Sequence, residues 1–146
     1  MKEVLLNIYE RDLQKLTKEI NLYQNEEDLW KTTADITNSG GNLCLHLIGN
    51  LKHFFGVNLG GTDFIRTRDA EFSSKNVSRS EILTEIENAA GIVATTLQNL
   101  TDEDLEKDYP EPHHGEIVKT KWMLIHLLTH FDYHLGQINY HRRFIS

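Results

Sequence analysis

Only two prolines, Pro110 and Pro112, interrupt the 146-residue chain, and they stand close together. Proline in a helix interior removes a hydrogen bond and clashes with the preceding turn, so the remainder of the chain is free to be helical. Apolar residues recur at intervals of three and four on both sides of the prolines, which is the spacing of one helix face. The pattern predicts four long helices, at about 2–24, at about 40–56, from about 79 onward and at about 120–144.

The connection between the second and third predicted helices is too long for a simple hairpin, and it indicates a crossover between two roughly parallel helices. The acidic segment TDEDLEKDYPEPHHG leaves room for one short helical turn, and EIVK after it for a brief extended piece. The sequence contains no internal repeat or low-complexity tract. We therefore predict an all-α four-helix bundle with a long crossover between helices 2 and 3, formed by a single domain over residues 1–146.

Composition excludes several classes of protein. The formal net charge of −7 argues against binding to a phosphate backbone. The single cysteine, Cys44, excludes an internal disulfide and a Cys-rich zinc module, and we expect it to be a small buried residue. The opening MKEVLLNIYERDLQKL lacks the apolar run of a signal peptide, and no stretch approaches the about 18 apolar residues of a membrane span. We expect a cytoplasmic protein without a nucleic-acid or membrane partner.

Four of the eight histidines lie in HLLTHFDYHLGQINYH, residues 126–141. At about 100° per residue, they fall along one edge of the buried stripe of the fourth predicted helix. Histidines four positions apart are separated by about 6 Å, close enough to share one ion, whereas His126 and His134 are about 12 Å apart. The ligand pair is therefore either His126 with His130 or His130 with His134.

Two histidines make a weak metal site, so a third ligand must come from another helix. The second predicted helix offers His46, on the border of its apolar face, and His53 about two turns later. A lone histidine on such a border is more often a core residue, but several on one stripe with a partner on a second helix favour a metal. Three protein ligands leave a position open for water or a thiol. Zn²⁺ is the default ion, and imidazole also suits Ni²⁺ and Fe²⁺.

Two common metal motifs are missing from the predicted helices. HLLTH has Leu127 at the position where the H-E-x-x-H motif carries its general-base glutamate. The E-x-x-H pairs of carboxylate-bridged di-iron bundles do not occur on these helices either. The pattern therefore indicates a mononuclear histidine site.

The sequence resembles the DinB/YfiT-like superfamily of metal-dependent four-helix-bundle proteins. The motif H-x-x-x-H-x-G-Q is present at residues 130–137 and is preceded by a lone histidine on the second helix. GGNLCLHLIGNL followed by GGTDFIRTRDAEF is similar to one branch in which an RD-x-EF segment follows that helix. The likeness covers essentially the whole chain. It implies that His46, His130 and His134 are the ligands and that the protein is a homodimer.

The resemblance also implies a chemistry. Superfamily members of known activity are similar to thiol-dependent transferases or isomerases that use bacillithiol, mycothiol or glutathione. The metal would hold the cofactor thiolate and lower its pKa, so that it attacks an electrophilic small molecule. We therefore expect a metal-dependent enzyme that transfers or adds a low-molecular-weight thiol. A non-catalytic metal- or ligand-binding module and a metal-dependent hydrolase are the alternatives.

Several polar residues near the expected ligands are candidates for supporting them. Gln137 could support a ligand or the substrate through its amide. Asn42 and Asn50 flank His46 and could orient its free ring nitrogen, or they could cap a helix and bond between helices. With His130 and His134 as ligands, His126 becomes a supporting neighbour or a core residue.

Other candidates lie in the connections and on the last helix. Arg66 and Arg68 in RTRDAEF could grip a carboxylate of the cofactor or substrate, or could pair with the acidic residues there and pin the crossover. His113 and His114 could edge the site or form an exposed loop pair. Gly136 is expected to permit close approach of another helix.

Overall fold

A computed structural model describes residues 1–145, and no β-strand occurs among them. The chain forms six α-helices: α1 Lys2–Leu22, α2 Gly40–Leu51, α3 Arg68–Ser73, α4 Arg79–Asn99, α5 Asp102–Leu105 and α6 Thr120–Ile145. A 3₁₀ helix, Glu26–Trp30, follows α1, and a π-helical segment, Lys52–Val57, continues α2. Within this described part of the chain, no helix has the combined length and hydropathy that crossing a membrane requires.

The four long helices pack as a bundle in which α1 and α2 each contact both α4 and α6. Each helix turns its apolar stripe inward, and the stripes merge into one core. The Tyr9 hydroxyl of α1 donates to the Leu124 carbonyl of α6 at 2.6 Å, and the Tyr9 ring meets Phe55 edge-on. The predicted all-α four-helix bundle is confirmed. The predicted long crossover is also present, since residues 58–78 join α2 and its π-helical continuation to α4.

The crossover contains α3, a helix that the sequence analysis did not predict. Asn42 of α2 is buried, and its side-chain amide donates to the carbonyls of Glu71 at 3.0 Å and Ser74 at 2.8 Å. Lys75 donates to the amide oxygen of Asn42 at 2.9 Å. The buried amide therefore satisfies backbone carbonyls of the crossover and holds α3 against α2.

The long helices begin and end close to their predicted bounds. Helix α1 ends at Leu22, the segment that continues α2 ends at Val57, and α6 ends at Ile145. Helix α4 starts where the sequence indicates, because Ser78 Oγ accepts the backbone N–H of Glu81 at 3.1 Å. Helix α5 is the predicted short helical turn.

A short hairpin, residues 108–119, joins α5 to α6. Its backbone pairs His113 with Glu116 through hydrogen bonds of 2.8 and 3.0 Å. His114 and Gly115 at its tip have φ of +48° and +79°. Two successive residues with positive φ are typical of the tight type I′ turn, which matches the twist of a hairpin. The turn carries His113 and His114, and it places His113 beside Trp122 and His126 of α6.

Candidate metal centre

Three histidines from two helices meet where α2 packs against α6. One ring nitrogen from each of His46, His130 and His134 lies within 4.8 Å of the others. The Nε2 atoms of His46 and His130 are 3.1 Å apart. Nitrogens that bind one tetrahedral ion at about 2.1 Å are about 3.4 Å from one another, so small movements would let these rings share an ion. The sequence left two pairs on α6 and two histidines of the second helix open as ligands. The fold brings together His130 and His134 on α6, and the histidine that meets them is His46 rather than His53.

We call His46, His130 and His134 the first cluster, and the three differ in burial. His46 is buried under the crossover, whereas His130 and His134 are half-buried on α6. The latter two lie one turn apart on an uninterrupted helix, so their spacing is set by α6 alone. One side of the first cluster is therefore accessible to a small ligand.

Glu71 of α3 fixes the tautomer of His46. Its carboxylate accepts a hydrogen bond from Nδ1 of His46 at 3.0 Å and two from Arg66, at 2.9 and 3.0 Å. Burial favours a higher pKa for Glu71, but the hydrogen bonds from His46 and Arg66 outweigh it and lower the pKa. An ionised Glu71 needs the His46 proton on Nδ1, which leaves the Nε2 lone pair directed at the first cluster.

Gln137 has the same effect on His134. Its side-chain oxygen accepts a hydrogen bond from Nδ1 of His134 at 2.7 Å, so this nitrogen carries the proton and Nε2 keeps a lone pair. His130 differs, because its Nδ1 is buried and has no partner among residues 1–145. Two of the three rings are thus already in the tautomer that binds a cation through Nε2.

Burial and crowding keep the rings of α6 neutral. Burial, followed by repulsion from His134 and His46, lowers the pKa of His130 to about 4. Burial also lowers the pKa of His134, against the opposing effect of the hydrogen bond to Gln137. Neutral imidazole is the form that coordinates a metal. The donor set therefore fits a divalent transition-metal ion.

Two expected partners of His46 are elsewhere. Asn42 bonds the crossover backbone, and Asn50, although buried, makes no hydrogen bond to His46 within residues 1–145. Nδ1 of His46 points to α3, where the Glu71 carboxylate occupies the position expected for an asparagine. Of the two roles considered for the asparagines, Asn42 therefore takes the second, bonding between segments, and Glu71 is the residue that bonds Nδ1 of His46.

The two candidate arginines have different surroundings. Arg66 is held by Glu71 and pins the crossover, which is the second of the two roles considered for it. Arg68 is exposed, and its guanidinium lies 5.4 Å from the centre of the Phe72 ring. Phe72 in turn packs on His46, with ring centres 4.8 Å apart. No ion pair joins Arg68 to a described residue, and its charge is connected to the first cluster only through the Phe72 ring.

Two histidines on the same edge of α6 lie outside the first cluster. His126 is half-buried and stacks on Trp122, with ring centres 5.1 Å apart. His141 is buried, its Nδ1 lies 2.6 Å from the Tyr23 hydroxyl, and its Nε2 donates to the Lys31 carbonyl at 2.8 Å. His141 is therefore a core residue that ties the end of α6 to the segment between α1 and α2.

The sequence analysis missed Glu71 as the partner of His46, although Gly49 on α2 indicates where it lies. A Cβ at Gly49 would overlap the Glu71 carboxylate, so the missing side chain makes room for it. A glycine three positions after a histidine on an otherwise apolar helix is the signal that could have indicated this close approach. Among residues 1–145, no atom outside its own stretch of helix lies within 4 Å of a Cβ placed at Gly136, so no other described helix approaches this glycine closely.

Comparison with known proteins agrees with this architecture. A family model described as "Protein of unknown function (DUF1572)" matches residues 4–146. No curated protein gives a significant match. A crystal structure of a DinB-like protein from Bacillus cereus ATCC 10987 superimposes with a TM-score of 0.76 and 17% identity, over 97% of this chain and 90% of that one. The chain therefore belongs to the DUF1572 family, and it shares the fold of a DinB-like protein, as the resemblance of its sequence to the DinB/YfiT-like superfamily implies.

Proposed function

We propose that the protein binds one divalent transition-metal ion through His46, His130 and His134. The observation that carries this proposal is the convergence of three ring nitrogens within 4.8 Å. Glu71 and Gln137 support it, because each keeps a proton on Nδ1 and so frees an Nε2 lone pair. Three imidazoles leave at least one position open on the ion. Zn²⁺ is our first choice, and Ni²⁺ and Fe²⁺ also suit imidazole.

We further propose that the protein adds a low-molecular-weight thiol to an electrophilic substrate. When bound, the ion would supply the positive charge that lowers the pKa of a thiol. Arg68, an exposed cation on the Phe72 ring that packs against His46, is the candidate to bind a carboxylate of such a thiol. Cys44 is fully buried, and burial raises its pKa, so the thiol must come from a cofactor rather than from the chain.

A non-catalytic metal-binding module is the second candidate. This candidate is favoured by the hydrogen bonds of Glu71. Its carboxylate accepts from His46 and Arg66, so it is not free to serve as a general base. The same observation weighs against metal-assisted hydrolysis, which needs a base to activate water.

The exposed aromatic side chains of α6 support the homodimer that the sequence resemblance implies. Tyr133, Tyr140 and Phe144 are all more than half exposed, and they lie along one side of this helix. Exposed apolar patches of this kind mark interfaces. A dimeric mass by light scattering, reduced to that of a monomer by Phe144→Glu, would support the assignment, and a monomeric wild type would contradict it.

The metal assignment is tested by elemental analysis after dialysis against a weak chelator. We expect about one ion per chain in the wild type and a loss of at least about tenfold in affinity in His46→Ala, His130→Ala and His134→Ala. His53→Ala is the matched control, because this histidine lies on the same helical run as His46 but bonds Glu111. Full metal content in folded His46→Ala and His130→Ala would overturn the assignment.

The thiol reaction is tested with the metal-loaded protein, a panel of small thiols and a chlorodinitrobenzene electrophile. We expect turnover with a carboxylate-bearing thiol, and an increase in KM at nearly unchanged kcat in Arg68→Ala. Lys121→Ala, which removes an exposed cation remote from the first cluster, is the control. Absence of turnover with every thiol, at one ion per chain, would establish the non-catalytic alternative.

A further inference from the structure

A second group of histidines lies where the hairpin meets α6. We call His113, His114 and His126 the hairpin cluster. The ring centres of His113 and His114 are 4.2 Å apart, and those of His113 and His126 are 4.5 Å apart. None of the three belongs to the first cluster, and neither the fold nor the proposed reaction uses them.

The backbone and a tryptophan hold the hairpin cluster in place. His113 is fixed by its two hydrogen bonds with Glu116, and the positive φ values at the turn set the direction of the next residue, His114. The His126 ring lies nearly parallel to the Trp122 ring, at an interplanar angle of 9°. The turn and the tryptophan therefore place His113 and His126 side by side, and the His114 side chain remains exposed.

The ring nitrogens of the hairpin cluster are free to act as ligands. None of them makes a hydrogen bond to a residue in the described part of the chain, 1–145. His113 and His126 are half-buried and His114 is exposed, so solvent and ions reach them. Burial, followed by repulsion from His113 and His114, lowers the pKa of His126, which keeps its imidazole neutral at neutral pH.

We propose that the hairpin cluster binds a second transition-metal ion through His113 and His126, whose rings are in contact, with His114 as an exposed third donor. The three rings do not already converge as those of the first cluster do, so the His114 side chain must turn towards the other two. The ligand class of the hairpin cluster is the borderline divalent ions that prefer imidazole, Cu²⁺, Ni²⁺ and Zn²⁺, and it excludes Mg²⁺ and Ca²⁺, which prefer oxygen. The site is weaker than the first cluster, because binding must order the exposed His114 side chain. This inference does not rest on the proposed function.

The position of Trp122 gives the hairpin cluster its own optical signal. The chain has two tryptophans, and Trp30 is buried at the opposite end of the fold, beside Gly41. Cu²⁺ quenches a tryptophan only at short range, so an ion bound by His126 quenches Trp122. We therefore titrate Cu²⁺ into His46→Ala/His130→Ala, a variant without the first cluster, and record fluorescence.

We expect saturable quenching in that variant, and a midpoint raised at least about tenfold when His113→Ala and His126→Ala are added. Trp122→Phe serves as the control that assigns the signal, because it removes the reporter and leaves the three histidines. Unchanged quenching after removal of His113 and His126, with circular dichroism showing a folded chain, would overturn the second site.

Equilibrium dialysis with Ni²⁺ separates this proposal from the proposed function. We expect two ions per wild-type chain, with loss of the weaker one in His113→Ala/His126→Ala and of the tighter one in His46→Ala/His130→Ala. One ion per wild-type chain over the whole concentration range, unaffected by removal of His113 and His126, would contradict the hairpin site alone. Loss of neither ion in His46→Ala/His130→Ala would contradict the proposed function alone.

Discussion

His46 is the residue at which the bundle and the crossover depend on each other. Its Nε2 faces the two histidines of α6, and its Nδ1 bonds Glu71, which the crossover supplies. Glu71 can come this close only because Gly49 has no side chain. The chemistry of one imidazole is thus set by two residues that would not themselves bind a metal.

Replacing Glu71 tests whether it positions His46. In Glu71→Gln the hydrogen bond to Nδ1 can persist, but the negative charge that favours this tautomer is lost. We expect metal affinity to fall about 10–100-fold, measured by competition with a chromophoric chelator. Glu111→Gln is the matched control, because Glu111 makes a similar bond, 2.9 Å long, to His53 outside the first cluster. Equal affinities of Glu71→Gln and the wild type would contradict this role.

Replacing Gly49 tests the space that Glu71 needs. A Cβ in Gly49→Ala must displace the Glu71 carboxylate, so we expect both weaker metal binding and a lower free energy of unfolding. Gly91→Ala is the matched control, because a Cβ there meets nothing within 4 Å in the middle of α4. Urea unfolding should show Gly91→Ala more stable than the wild type by about 0.5–1 kcal/mol. A Gly49→Ala variant of wild-type stability and affinity would refute this account.

The sequence identified the residues of the first cluster but could not select among them without the family resemblance. His126, His130 and His134 lie on one edge of α6, and helical periodicity treats them alike. Which pair meets His46 depends on where α2 crosses α6, a contact between residues 84 positions apart in the chain. Glu71 was missed for the same reason, because only the fold brings it to His46.

At the scale of elements, α1 and α6 meet through two carboxyl groups. Asp12 is buried and receives a hydrogen bond from Arg11 at 2.8 Å. Burial opposes ionisation of Asp12, but hydrogen bonds from Arg11 and Asp132 outweigh it and lower its pKa. Burial, then the bond to Asp12 and its charge, raise the pKa of Asp132 to about 6. Asp132 therefore keeps a proton that joins the two helices until the pH approaches neutrality.

The raised pKa of Asp132 predicts that Asp132→Asn increases the free energy of unfolding by an amount that depends on pH. The pKa of Asp132 is higher in the folded chain than the about 3.9 of an unfolded aspartate, so its ionisation above pH 6 destabilises the fold. Asparagine removes this cost. We expect Asp132→Asn to be more stable than the wild type at pH 8, with the gain disappearing as pH falls through 6 towards about 4.

Urea unfolding of both proteins at several pH values measures this difference. Asp102→Asn is the control for a general effect of charge, because Asp102 is an exposed aspartate in the first turn of α5. A gain of the same size for Asp132→Asn at pH 8 and pH 4 would contradict the proton shared between α1 and α6.

Element length decided what the sequence could predict. The long helices have apolar stripes of several turns, which is why their bounds were predicted closely. Helix α3 has six residues, fewer than two turns, so no period could indicate it. The change from α-helix to π-helix at Lys52 was not predictable either, because the apolar stripe continues through it without a break.

At the scale of the whole molecule, the proposed metal binding would be linked to folding. An ion bound only by the folded chain raises the free energy of unfolding by about 2.7 kcal/mol at a free concentration of 100 times Kd. We expect Zn²⁺ to raise Tm at pH 7.5 and a chelator to reverse the rise. At a Zn²⁺ concentration that fills only the tighter site, the rise should be absent in His46→Ala and present in His53→Ala. A Tm that Zn²⁺ leaves unchanged would contradict a metal site built by folding.

The same linkage carries a pH dependence. The pKa of His130 is about 4 in the folded chain, below the about 6.5 of an unfolded histidine. The unfolded chain therefore takes up a proton first as pH falls, and His130 makes the metal-free protein less stable between about pH 6.5 and pH 4. This contribution opposes that of Asp132 over the same range, so it should be measured in Asp132→Asn. As the pH is lowered from 6.5 to 4, the free energy of unfolding of metal-free Asp132→Asn should fall more steeply than that of Asp132→Asn/His130→Gln.

His46 and His130 are 84 positions apart in the sequence, whereas His130 and His134 are neighbours on one helical turn. An ion held by all three would close a loop that contains the crossover, α4 and the hairpin. A covalent cross-link closing a loop of about 100 residues stabilises a fold by roughly 4–5 kcal/mol through the entropy of the unfolded chain. A chain with a single cysteine cannot make such a link with itself. The metal would supply a reversible cross-link between its two halves, which acid or a chelator could open.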